Sequence, residues 1–168
     1  VGQDITPILP TGAVKVTSTG VLTDAGNAGA DSFAMGTITI AGGSTVTVTQ
    51  SAGITDAQKT AALTLDTNDT VTQGAVTVDG GAATTSVTVV QDAAVVAAQY
   101  AALTKTDGKI GVAAGTVTIA DKNAASPTLA NTIATVSLTN YANSTINSAA
   151  LTTVNLEGTA GTLGVNTT

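Results

Sequence analysis

Between Gly36 and Gln50 the chain reads GTITIAGGSTVTVTQ, with Thr alternating with Ile or Val on both sides of a Gly-Gly pause. Strict alternation places Ile38 and Ile40 on one face of a strand and the threonines on the other. Val, Ile and Thr are stiff at χ1 and suit a pleated surface. Gly42-Gly43, and later Gly80-Gly81, supply a permissive backbone for turns. The pattern therefore predicts short strands throughout. It is interrupted at ITDAQKTAAL (54–63) and DAAVVAAQYAAL (92–103), where Ala, Gln and Lys predict a single helical turn in each.

The alternation recurs. Gly36-Thr-Ile-Thr-Ile40 is echoed by Gly74-Ala-Val-Thr-Val78 and Gly115-Thr-Val-Thr-Ile119, with an earlier form at Gly12-Ala-Val-Lys-Val16. Val46-Thr-Val-Thr-Gln50 is matched by Val87-Thr-Val-Val-Gln91 and, more loosely, by Val136-Ser-Leu-Thr-Asn140. Ala61-Ala-Leu-Thr64 returns at Ala101 and at Ala149. Three landmarks in one order imply tandem units of about forty residues, the signature of a repeat architecture. The division read from them is a β-repeat region over 1–111, with repeats near 36–73 and 74–111, followed by a β-rich repeat over 112–168. In that last part strands are expected near Val136, Ile146, Val154 and Leu163, with Leu151, Val154 and Leu156 facing inward.

The fold class expected is all-β, and two architectures satisfy the pattern. In a β-solenoid, equivalent strands of successive repeats stack in parallel. In a β-sandwich, the Gly-Gly turns close hairpins and two repeats make one two-sheet domain. The period, the Thr rows and the scarcity of aromatics suit the first. The Gly-Gly turns and uneven spacing suit the second.

Composition narrows the interior and the chemistry. Aromatic residues are 2 % of the 168, namely Phe33, Tyr100 and Tyr141, so a core must be narrow and filled by aliphatic side chains. Net charge is −6 and all five cations are Lys, which argues against nucleic-acid binding. No apolar run is long enough for a transmembrane segment. The chain opens at Val1 with no charged-then-apolar leader, which reads as a portion of a longer product.

The absence of His and Cys removes imidazole bases, thiol nucleophiles and the common soft metal ligands. What remains for catalysis is a Ser–Lys pair using Ser18 or Ser126, or two carboxylates drawn from ten Asp and Glu157. Nothing in the sequence gathers either set, and no enzyme activity is expected. The best local candidate for a site is DTNDT, where Asp66, Asn68 and Asp69 offer closely spaced oxygens of the kind calcium prefers. The plainer reading is an Asx-turn between strands. Asp121 and Asn123 form a weaker version, and Asp79 beside Gly80 reads as a turn residue. Thr37/Thr39, Thr47/Thr49 and Thr116/Thr118 would suit ice binding only if they shared one flat face. Asn68, Asn143 and Asn166 match the glycosylation sequon, which arises readily in a Thr- and Asn-rich chain.

VSLTNYANSTINSAALTTVNLEGT (136–159), preceded by GTVTIADKNAAS (115–126), resembles the recurrent module of bacterial β-strand-repeat surface proteins. These include S-layer proteins and large secreted repeat adhesins. The resemblance is closest over 115–165 and looser over 36–104. It implies an exported structural protein of the bacterial cell surface, self-assembling as a homo-oligomer into a lattice, sheath or filament. It also implies calcium as a cofactor and cell-surface polysaccharide as a further partner, although no GGxGxD-type run occurs here. The alternative within the same resemblance is a binding segment of an adhesin that contacts glycan, a host surface or ice.

Overall fold

The computed structural model describes residues 9–24, 31–56, 70–93, 111–126 and 128–167. Among them the regular structure is all strand. In chain order the strands are β1 (Val14–Asp24), β2 (Ser32–Ala34), β3 (Ile38–Ala41), β4 (Thr45–Asp56), β5 (Thr70–Thr72), β6 (Val76–Asp79), β7 (Ser86–Ala93), β8 (Val112–Ala113), β9 (Val117–Ala120), β10 (Thr135–Tyr141), β11 (Ser144–Asn147), β12 (Thr153–Ala160) and β13 (Leu163–Asn166). The helical turns expected in 54–63 and 92–103 do not begin where they fall on described residues. Residues 54–56 extend β4 and residues 92–93 extend β7, and the remainder lies outside the described residues.

The strands form three sheets. A long sheet runs β1-β4-β7-β10-β12, a second runs β3-β6-β9-β11-β13 and faces it, and a short one runs β2-β5-β8. Every neighbouring pair is parallel. Parallel neighbours need a crossover and cannot be joined by a tight hairpin. The chain accordingly visits the long, short and facing sheets in turn three times, then alternates between the long and facing sheets.

The Gly-Gly pause therefore has a different job from a hairpin turn. Gly42 and Gly43, at φ 81° and 95°, carry the chain from β3 in the facing sheet to β4 in the long sheet. A Cβ on Gly42 would meet Leu9 Cβ at 2.8 Å, and one on Gly43 would meet Val14 Cγ2 at 2.8 Å. The corner needs glycine for its backbone conformation and for the space below it.

Register turns the alternation into columns. Val14, Val46, Val87, Val136 and Val154 lie side by side across the long sheet, and so do Val16, Val48, Val89, Leu138 and Leu156. On the facing sheet Ile40, Val78, Ile119, Ile146 and Val165 form another column. The inner members are fully buried and make one apolar cluster, in which Tyr141 is the only aromatic among the described residues. Each such residue removes its side chain from water on both flanks, at about 1.5–3 kcal/mol apiece. Gly12-Ala-Val-Lys-Val16 resembles the first landmark in sequence, yet its valines pair with Val46 and Val48 of the second.

The far half of the long sheet packs differently. Ala52 and Ile54 of β4 meet Met35 and Val71 beside the short sheet in a second apolar cluster. Between the two clusters the inward position is polar. Gln50 and Gln91 stack in register there, and Gln91 Nε2 donates to Gln50 Oε1 at 2.8 Å and to Gly74 O at 3.2 Å. Gln73 Nε2, from the corner after the short sheet, donates to the carbonyls of Gln50 and Asp92 at 3.2 and 3.0 Å. Asn140 Nδ2 continues the ladder by donating to Gln91 O at 2.8 Å. The amides of Gln73, Gln91 and Asn140 supply donors to backbone carbonyls that an apolar side chain would leave buried without partners.

Candidate functional site

Asp66, Asn68 and Asp69 lie outside the described residues, as do Ala61–Thr64 and Ala101–Thr104. Among the described residues no three His, Cys, Asp or Glu side chains gather so as to hold a metal ion. The weaker candidate is described, and its carboxylate is already engaged. Asp121 is buried, and its Oδ2 accepts the backbone N–H groups of Thr132 and Ile133 at 2.6 and 2.8 Å. Ser148 Oγ donates to the same oxygen at 3.3 Å, and the Asn123 N–H donates to Oδ1 at 3.2 Å. A carboxylate holding this many donors pins the 122–131 loop across the corner beneath β10. Asn123 Nδ2 closes the same loop by donating to Ala130 O at 2.7 Å.

The threonines divide between two surfaces. Thr39, Thr77, Thr118 and Thr145 align on the outer side of the facing sheet. Thr47 and Thr88 align on the outer side of the long sheet. Thr37/Thr39 and Thr47/Thr49 thus belong to different sheets and do not make one flat array.

A hollow of about 320 Å³ opens where the short sheet stops after β8. Gln73, Gln91, Val112, Asn140, Tyr141 and Thr159 are among the residues that line it, and no charged side chain among the described residues does. Such a lining offers amide and hydroxyl hydrogen bonds but no acid, base or nucleophile of altered reactivity.

Among the described residues, apolar side chains are exposed at the end of the stack on β12 and β13, and also at Val21, Phe33 and Leu129. Val154, Leu156 and Val165 occupy columns that are fully buried one strand earlier, at Val136, Leu138 and Ile146. On the terminal strands they are 36 %, 49 % and 48 % exposed. All of β12 is exposed, and its outer edge has no neighbouring strand among the described residues. At the opposite end β1 is the terminal strand of the long sheet, with Val14 and Val16 half-buried.

The β12 edge is shaped by a bulge. Thr139 pairs with Glu157 but Tyr141 pairs with Ala160, so β12 carries one extra residue. Asn140 adopts φ 51° and Gly158 φ 74°, and Asn140 Oδ1 accepts the Thr159 N–H at 2.8 Å. The regular edge available to another strand is therefore Thr153–Glu157. Nothing in the alternation of this segment signals the bulge. The sequence cue is Gly158, which breaks an otherwise continuous strand pattern.

On the outer side of the long sheet two adjacent rows carry charge only at their ends, while Asp92 of β7 stands exposed one row further along. Across the strands one row reads Lys15, Thr47, Thr88, Ser137 and Asn155, and the next reads Thr17, Thr49, Val90, Thr139 and Glu157. Sequence reasoning did not single out Lys15 or Glu157, because their relation appears only once the strands are in register. Comparison with known protein families, with curated proteins and with solved structures finds no match to the chain.

Proposed function

We propose that the chain is a structural protein of the bacterial cell surface that self-assembles into an S-layer, sheath or fibre. In this reading the three parallel sheets are the faces of a β-solenoid, and its tandem repeats are successive circuits. Mechanism is packing: each circuit covers the apolar columns of the one before, and an uncovered terminal circuit does the same for a neighbour. The observation that carries the reading is the continuation of the buried columns into exposed Val154, Leu156 and Val165 on an edge that no strand covers among the described residues. Other proteins suppress such edges with lysines, prolines or covering loops.

No reaction is assigned. The lack of His and Cys and the engagement of Asp121 by backbone donors support a non-enzymatic role. The resemblance to surface proteins supports the extracellular location, and calcium remains tied to that resemblance. Negative-stain microscopy and sedimentation of the purified chain, in calcium and in chelator, test the proposal. Sheets or filaments are expected in at least one condition. A monodisperse monomer in both would overturn it.

A further inference from the structure

We propose that the partner at the exposed β12 edge is a second copy of the chain, docked head to tail, so that β12 of one copy pairs with β1 of the next. This rests on the assembly reading above and specifies which surfaces meet and in what register. The internal strands supply the template. Each column of the long sheet starts with a half-buried valine on β1 and ends with an exposed aliphatic on β12. Repeating the internal register across the junction sets Val154 beside Val14 and Leu156 beside Val16, so both columns run on without a break.

Charge favours this union over the others. In that register Asn155 faces Lys15 and Glu157 faces Thr17, all on the outer side of the sheet. Glu157 and Lys15 then lie on a diagonal between neighbouring strands, a separation that long side chains span. Within the chain, among the described residues, neither has an ion-pair partner. The three strands between them carry only Thr, Ser and Val at the corresponding positions. Opposite charges at the two ends of these rows, with none between them in either row, mark the ends as complementary to each other.

A two-fold union of like ends lacks this match. It would pair β12 with β12 in antiparallel sense, setting Glu157 opposite Thr153, or β1 with β1, setting Lys15 opposite Thr23, and neither brings Glu157 beside a cation. It would also depart from the parallel pairing of every other neighbour in the sheet. Head-to-tail contact is heterologous, and where its rotation does not close a ring it extends without limit. The bulge after Glu157 confines pairing to Thr153–Glu157, a short edge that gives a reversible junction.

The test uses the whole chain and three variants: Glu157→Lys, Lys15→Glu, and the double exchange of both. All lie on exposed positions of terminal strands, and circular dichroism checks that each retains the parent spectrum. At low salt each single reversal is expected to raise the concentration needed for assembly by about tenfold, because every junction then opposes like charges. The double exchange is expected to return it to within about twofold of the parent. The two single variants, when mixed, are expected to co-assemble below the threshold of either one alone. If the parent assembles but single reversals leave its threshold unchanged, or the double exchange fails to restore it, the junction lies elsewhere and only this inference falls. A parent that stays monomeric removes both this inference and the assembly reading.

Discussion

Three glycines that look equivalent in sequence, Gly36, Gly74 and Gly115, each open the same landmark, yet their surroundings differ sharply. A Cβ on Gly74 would collide with the Gly36 carbonyl oxygen and lie 2.7 Å from its carbon and 2.9 Å from Met35 O. One on Gly115 would collide with Gly74 O and lie 2.6 Å from Gln73 O. One on Gly36 would meet nothing within 4 Å. Each Cβ points at the corner of the preceding circuit, and Gly36 has no such corner beneath it among the described residues. None of the three has a left-handed φ, so backbone strain does not enter and the space decides. Alanine at Gly36 should be neutral or stabilise by about 0.4–1 kcal/mol, through the unfolded chain. Alanine at Gly74 or Gly115 must displace backbone, a cost of about 3 kcal/mol at the upper end of overpacking. At about 2–4 °C per kcal/mol for a chain this long, the difference between Gly36→Ala and Gly74→Ala is roughly 10 °C in Tm. Thermal melts followed by circular dichroism measure it directly. Equal melting temperatures for the two variants would refute the stacked corner and, with it, the parallel register of the facing sheet.

Two further contrasts follow from position in the stack. Leu138 and Leu156 occupy one column, the first fully buried and the second half-exposed. Leu138→Ala should cost about 2–5 kcal/mol in urea unfolding, whereas Leu156→Ala in the monomer should cost under about 1 kcal/mol; similar costs would mean that the end is already covered. Asp121→Ala strips the acceptor from the Thr132 and Ile133 amides and should destabilise by about 2–4 kcal/mol, with hydrogen exchange at Ile133 accelerating more than at Val87. Unchanged exchange at Ile133 would show that its N–H is held by something else.

Alternation made the strands and their buried faces legible. Ile38 and Ile40, Val76 and Val78, and Val117 and Ile119 all face the core, and strands occur around Val136, Ile146, Val154 and Leu163. The sense of pairing was not legible from the turns. Gly-Gly at φ above zero serves a hairpin and a sheet-to-sheet corner alike, and only the destination of the next strand separates them. The placement of Gly12-Ala-Val-Lys-Val16 failed for a related reason: a five-residue alternating strand states which side is buried but not which sheet it joins. Gln50, Gln91 and Asn140 were visible as the ends of one landmark. Their meaning, an amide ladder between two apolar clusters, needed the corner residues Gln73 and Gly74 to be in place. Lys15 and Glu157 stand far apart in sequence and became related only through four registers.

The lengths of the circuits separate two kinds of selection on the chain. Ser137 and Asn155 are in-register neighbours only 18 residues apart, whereas Gln50 and Gln91 are neighbours 41 apart. A stack of this kind can thus be continued with fewer than half the residues that its middle circuits use. Much of the extra length falls between β4 and β5 and again between β7 and β8, in residues outside those described. The columns described above take no residue from either stretch, so this part of the chain is where length is expected to change at least cost to them. It is also where a foreign peptide could be grafted for display without renegotiating the fold.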